Sequence, residues 1–369
     1  MKIVTIVGTR PELVRLSVLI PALDSLFEHV IIHTGQNFDY ELNEIFFSEL
    51  GIRKPDHYLG IDNSAPGKAI AQVVEKSFEA LAVEKPDAVI ILGDTNSAVS
   101  AFAAERLGIP VYHLEAGNRS FDRNVPEELN RRMVDHVSSF NLPYTPYARE
   151  NLLREGLNPR FICLTGSPIV EVFSRFKDQI GASQILKELD LTRGGFLLAS
   201  LHRQENVDDP ARLQAAVEAL SVAGSRLNLP VLMSTHPRTR AQLKKHGISG
   251  SDNLTFHSPL GYFDYCKLQM NALVTISDSG SIAEEAAIMN FPAVTMRDSM
   301  ERPEALECGA VTMSGLNPEN LLESIEFALA RPNDSKLPLG YEVDNFSQRV
   351  IGFLISTVRR AGEWQGIRK

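Results

Sequence analysis

The sequence predicts an α/β protein made of two parallel-sheet domains facing a central cleft. Three observations lead there. Short aliphatic or β-branched runs alternate with segments whose apolar residues recur at helical spacing, in one block over residues 2–114 and again over 195–296. A tight glycine turn, Gly8-Thr-Arg-Pro11, follows the first run, as at the opening of a βαβ unit. Polar residues gather where the runs end, in both blocks, and ligands of open α/β sheets sit beyond the carboxyl ends of strands.

In the first block, strands are expected at 2–7, 29–33, 88–92 and 110–114, with helices over 13–26, 39–50, 68–84 and up to Leu107. The second block places strands at 195–200, 230–234, 272–276 and 293–296, with a helix over 211–227 and an Ala- and Glu-rich helix after Ser281. Gly166-Ser-Pro168 and a helical stretch over 171–189 form the expected crossover. The domains are therefore set at 1–170 and 171–344, with a helix in 345–369 (Val350, Phe353, Leu354, Val358 at helical spacing) returning to the first.

At 369 residues the chain has room for two cores, and 44% hydrophobic with 22% charged residues is an ordinary globular balance. A net charge of −9 argues against binding nucleic acid or an anionic membrane, which requires a basic face, but permits a small phosphorylated ligand in a locally basic pocket. Cys163, Cys266 and Cys308 lie too far apart for paired metal-ligand spacing or a disulfide framework. The chain opens on a strand rather than a leader, and no run approaches membrane-spanning length, so a cytoplasmic protein is expected. There is no GxGxxG after the first strand and no GxxxxGK[ST], which disfavours a dinucleotide cofactor and P-loop hydrolysis.

Arg10, Gln36, Asp94, Glu115, His202, His236, Ser279 and Arg302 all fall at strand ends. Residues 113–132 crowd Glu115, Glu127, Glu128, Arg131, Arg132 and His113 into one loop and one helix start, which suits proton transfer beside an anion slightly better than a solvated charged loop. The small residues of Ser277-Asp-Ser-Gly-Ser281 open a helix whose free N–H groups and dipole could hold a phosphate, or could form an ordinary Ser cap. Asp94 ends a very apolar strand, where it either caps the next helix or serves as a partly buried acid. His113 and His236 read as packed imidazoles, whereas His202 has acidic and basic neighbours on a loop.

Together GTRPE (8–12), HTGQ (33–36), LGDT (92–95), HLEAGNR (113–119), PEELNRR (126–132), STHPRTR (234–240), DSGSIAEE (278–285) and ERPE (301–304) resemble the non-hydrolysing UDP-N-acetylglucosamine 2-epimerase family over essentially the whole chain. The resemblance implies a GT-B-like architecture of two Rossmann-like domains with the nucleotide sugar between them, and a homodimer. It implies that Ser279, Gly280 and Ser281 hold the diphosphate of a UDP-linked N-acetylhexosamine with Arg10 and His202, that Glu285 takes the ribose hydroxyls and that Arg302 lies near the sugar. With Arg15, Gln36 and His236, these make up the expected substrate-binding set. Asp94, Glu115 and Glu127 match the catalytic carboxylates and Arg131 the arginine that accompanies them, with His202 counted among the catalytic groups. Neither cofactor nor metal is expected if the arginines, His202 and the helix terminus carry the diphosphate charge.

The sequence departs from the family's commonest pattern at Val14-Arg15-Leu16, at Asn118 after EAG, in the loop Phe121-Asp-Arg-Asn-Val125, and in DSGS where DSGG is usual. These departures resemble the branch that 2-epimerises UDP-2-acetamido-2,6-dideoxy-L-talose to UDP-N-acetyl-L-fucosamine for capsule or O-antigen synthesis.

Overall fold

The computed structural model describes residues 1–35, 47–330 and 337–366. Gln36 and most of the helix expected over 39–50 lie outside the described residues. The chain forms two compact units: Met1–Arg175 with Leu339–Lys369, and Phe176–Pro338. The division falls inside the helix Ile169–Ala182.

The first unit is built on six parallel strands: β1 (Lys2–Val7), β2 (Glu28–His33), β3 (His57–Tyr58), β4 (Ala88–Leu92), β5 (Val111–Leu114) and β6 (Phe140–Leu142), in the order β3-β2-β1-β4-β5-β6. All five residues of β4 are buried, as an internal parallel strand covered on both faces requires. On one face Val4, Ile6, Val89, Ile91 and Val111 pack with Leu81 of the helix Pro66–Glu84. On the other, the ring of Tyr112 stacks on Phe140 at 4.8 Å, and both meet Phe353 from the helix Phe346–Thr357. Thr357 hydrogen-bonds the Tyr112 hydroxyl at 2.7 Å, so the helix is held by a polar contact as well as by its rings.

The second unit repeats this plan with β7 (Leu197–Leu201), β8 (Val231–Thr235), β9 (Leu254–His257), β10 (Val274–Ser277), β11 (Ala293–Thr295) and β12 (Val311–Met313), ordered β12-β11-β10-β7-β8-β9. Read from its other edge, this is the same doubly wound order as in the first unit. Its core joins the strands to the helices Pro210–Leu227 and Pro318–Ala330. In each unit the first strand pairs directly with the fourth, β1 with β4 and β7 with β10. Strand order reverses there, and the crevice beyond the carboxyl ends of that pair is the natural ligand position.

Three expectations change, the first being that the helical stretch expected over 171–189 is two helices, Ile169–Ala182 and Ile185–Glu188. The helix expected over 13–26 is two helices, Arg10–Leu16 and Leu19–Leu26, and the Ser17 hydroxyl bonds back to the Val14 carbonyl at 2.7 Å at the break. The four strands not read from sequence are β3, β6, β9 and β12, the edge strands of the two sheets. No helix among the described residues is long and apolar enough to cross a membrane.

Candidate functional site

In the first unit, the crevice between β1 and β4 is organised by Glu12. Its carboxylate accepts from the Gly8 amide at 2.6 Å, the Thr95 hydroxyl at 2.5 Å and the Ser97 hydroxyl at 3.0 Å. Glu12 is 2% exposed, and burial pushes its pKa up to about 7 although these bonds pull the other way. The carboxylate thus joins the loop after β1, which carries half-buried Arg10, to the loop after β4, which carries Asp94. Pro11 sits in the first turn of the Arg10–Leu16 helix, where its missing N–H leaves nothing unsatisfied.

Asp94 does not cap the next element. Thr95 caps the short 3₁₀ turn Asn96–Val99 by accepting from the Ser97 amide, and Asp94 instead pairs with Arg131 at 2.5 Å. Arg131 is 3% exposed on the helix Pro126–Val137 and also bonds Glu128 at 3.2 Å. Glu127, one residue earlier in the first turn, is half-buried. Glu128 is buried rather than on the surface, and it accepts from the Ser120 amide and hydroxyl, Arg131 and Arg132. It pins the 121–125 loop to its helix.

Glu115 follows β5 with φ at 63°, a left-handed backbone that a non-glycine residue adopts at a cost of about 1 kcal/mol. Its carboxylate lies 3.4 Å from the Nε of Arg15, which is 5% exposed, and accepts from Asn118 at 3.3 Å. Just beyond, Gly117 has φ at 84° and an added Cβ would come within 2.2 Å of the Ala148 carbonyl, so this turn admits only glycine. Fully buried Asp135 takes the Gly117 amide and Arg119 and lies 2.9 Å from His113 Nδ1. Burial disfavours the charged imidazole, but Asp135, together with the Gly93 carbonyl and Asn141, more than offsets it and His113 stands above the ordinary histidine value. With its other nitrogen on the Gly93 carbonyl at 2.8 Å, His113 ties β4 to β5 as a packed residue.

In the second unit, Asp278 has the organising role. It is fully buried after β10 and accepts from the amides of His202 (3.0 Å) and Arg203 (3.0 Å) after β7, and from Asn206 (3.3 Å). The His202 ring lies beside it, with Nδ1 3.4 Å from its carboxylate. His236 is exposed rather than packed as expected: it accepts from the Arg238 amide to cap the helix Pro237–His246, and its ring centre is 6.4 Å from that of His202.

The helix Ile282–Met289 opens at Ser281, whose side chain makes no capping bond to it. The Ser279 and Ser281 hydroxyls lie 3.0 Å apart. Buried Arg302 bonds the Gly280 carbonyl at 2.9 Å and lies 3.3 Å from Glu284. Glu285 accepts from buried Gln269 at 2.7 Å. Small residues and a helix terminus favour an anion there, with Arg302 close by.

Asp94 and Arg131, Arg15 and Glu115, His202 and His236, and Ser279, Gly280 and Ser281 with Arg302 are each brought together within their own unit. Sequence reasoning assigned no part to Glu12 or Asp278, the carboxylates that organise the loops. The available signal was an acid within a few residues of a buried strand's end, where only a hydrogen-bonded carboxylate can be accommodated.

The chain matches the family model described as UDP-N-acetylglucosamine 2-epimerase over residues 22–355. It is 40% identical to the UDP-N-acetylglucosamine 2-epimerase of Rickettsia bellii, with a TM-score of 0.90 over 98% of both chains. It superposes at a TM-score of 0.92 with 35% identity on the Methanocaldococcus jannaschii UDP-GlcNAc 2-epimerase solved with UDP-GlcNAc and UDP, covering 96% of this chain and 100% of that one. It is also 36% identical to the UDP-2,3-diacetamido-2,3-dideoxy-D-glucuronate 2-epimerase of Pseudomonas aeruginosa, over 90% of this chain and 93% of that protein. The two six-stranded parallel sheets give it the GT-B-like fold of these epimerases. With the motifs at both switch points and these matches along nearly its full length, the chain belongs to the UDP-N-acetylglucosamine 2-epimerase family of isomerases.

Proposed function

We propose that this protein inverts C2 of a UDP-linked N-acetylhexosamine by eliminating UDP and adding it back. The observation that carries this reading is the set of carboxylates at the ends of β4 and β5, each held beside a buried guanidinium: Asp94 on Arg131 and Glu115 by Arg15. A C2 hydrogen next to an acetamido group is a poor acid. Its removal becomes feasible when the C2–H electrons form the C1–C2 double bond as the C1–O bond breaks and UDP leaves, giving a 2-acetamidoglycal. As UDP adds back to C1, return of a proton to the opposite face of C2 needs a second group as donor, hence more than one carboxylate among Asp94, Glu115 and Glu127. In this reading Ser279, Gly280 and Ser281 hold the leaving diphosphate with Arg10 and His202, Arg302 lies at the sugar, and Glu285 takes the ribose hydroxyls.

For the sugar, we propose the 6-deoxy-L-talo configuration, giving UDP-N-acetyl-L-fucosamine. This rests on Arg15, Asn118, DSGS and the 121–125 loop, where the chain departs from the commoner family pattern. Overall similarity does not choose the sugar, since relatives named for N-acetylglucosamine and for diacetamidoglucuronate are equally close at 36% identity.

In deuterated water with no acceptor, the enzyme should place deuterium at C2 of a product that keeps its UDP. Running the 6-deoxy-L-talo and gluco substrates side by side identifies the sugar. A protiated C2 under turnover, or sugar appearing only on an added acceptor as for a glycosyltransferase of the same fold, would refute the epimerase reading.

A further inference from the structure

In the second unit, one carboxylate joins three guanidiniums. Glu301, 3% exposed, accepts from Arg297 Nη1 on Oε2 at 2.6 Å, and from Arg203 Nη2 and Arg302 Nη1 on Oε1 at 3.1 Å each. Arg302 then reaches the Gly280 carbonyl. Gly280 packs directly on this pair, since a Cβ there would lie 2.4 Å from Glu301 Oε1 and 2.6 Å from Arg302 Nη1.

Arg297 makes the arrangement unusual. It is 3% exposed, and its Nε and Nη2 are buried without a hydrogen-bond partner among the described residues. Burying a guanidinium so poorly matched is unfavourable. What the residue supplies is its bond to Glu301. A glutamate carboxylate turns easily about its last torsion. Arg297 holds one oxygen, which leaves the other in a fixed place for Arg203 and Arg302.

We propose that Glu301, fixed by Arg297, is a positioning residue that sets Arg203 and Arg302 against the Gly280 turn and so shapes the anion-binding end of this unit. The inference rests on the reading of Ser279, Gly280 and Ser281 as the diphosphate site.

Charge and position make opposite forecasts. Glu301→Gln removes a negative charge beside an anion site, which by charge alone tightens UDP binding; loss of positioning loosens it. The double variant Glu301→Gln/Arg297→Met removes one anion and one cation together, keeps the net charge, and does not leave Arg297 buried without its carboxylate. UDP binding by calorimetry should weaken at least about tenfold in the double variant, with KM for the UDP-sugar rising in parallel. A double variant that melts as a folded protein and binds UDP like the wild type would overturn the proposal and leave the epimerase reading intact. A wild-type protein that binds no UDP would overturn both.

Discussion

Glu12 shows how a single buried acid makes a strand-end loop sensitive to pH. Unfolded, it would titrate near 4.5; folded, it holds its proton up to about 7. Between those values the native state keeps a proton that the unfolded chain has released, so stability falls as pH rises from about 4.5 to 7 and then levels off. The linked contribution is roughly 3 kcal/mol. Glutamine mimics the protonated form, accepting from Gly8 and donating to the Thr95 and Ser97 hydroxyls. Urea denaturation of Glu12→Gln between pH 5 and 8 should therefore show a shallower loss of stability than the wild type, and an unchanged slope would contradict this assignment. The candidate carboxylates have a separate test. Asp94→Asn, Glu115→Gln and Glu127→Gln should each cut kcat at least about 100-fold, and near-normal turnover in all three would remove them from the chemistry. Asp94 and Glu115 stood out in the sequence because they follow apolar strands, and Glu127 because it opens a helix, all within the motifs that carry the family resemblance. Glu12, Asp278 and Glu301 were not assigned because their work is hydrogen bonding between segments distant in sequence, up to 98 residues apart for Glu301 and Arg203.

Among elements, the eight inner strands were readable because burial on both faces demands a continuous aliphatic run. The edge strands were not. β3 is two residues long, with one half-buried and one exposed, and β12 is one buried residue followed by two more open ones, so neither leaves a hydrophobic pattern. Helix limits followed apolar spacing closely at Pro210–Leu227 and Pro66–Glu84, but spacing could not reveal the break at Ser17, where a side chain competes for the backbone. The helix Phe346–Thr357 illustrates an element whose place depends on aromatic packing. Phe346 is fully buried, with its ring edge-on to Tyr144 at 5.7 Å. Phe346→Ala should destabilise the first unit by about 3–5 kcal/mol in a denaturation experiment. A loss under 1 kcal/mol would mean that about a ring's worth of packing has been recovered by collapse around it.

At the level of the whole chain, the same strand order arises twice from sequences with no convincing repeat. Buried aliphatic strands joined by right-handed crossovers are compatible with it, whichever aliphatic residues are used. The polar ends then differ: carboxylates paired with guanidiniums in one unit, a serine-lined helix start with buried arginines in the other. The first unit is also discontinuous, because residues 339–366 supply the rings and hydroxyl that cover Tyr112 and Phe140. During synthesis this inverts the order of completion. The second unit has its whole sequence outside the ribosome while the first still waits for its last helix, with aromatic surface uncovered and open to chaperones. Stalled nascent chains in which residue 338 has just cleared the exit tunnel should yield a protease-resistant fragment from the second unit while residues 1–175 are digested. Protection of 1–175 at that length would show that the first unit reaches its fold without its returning helix.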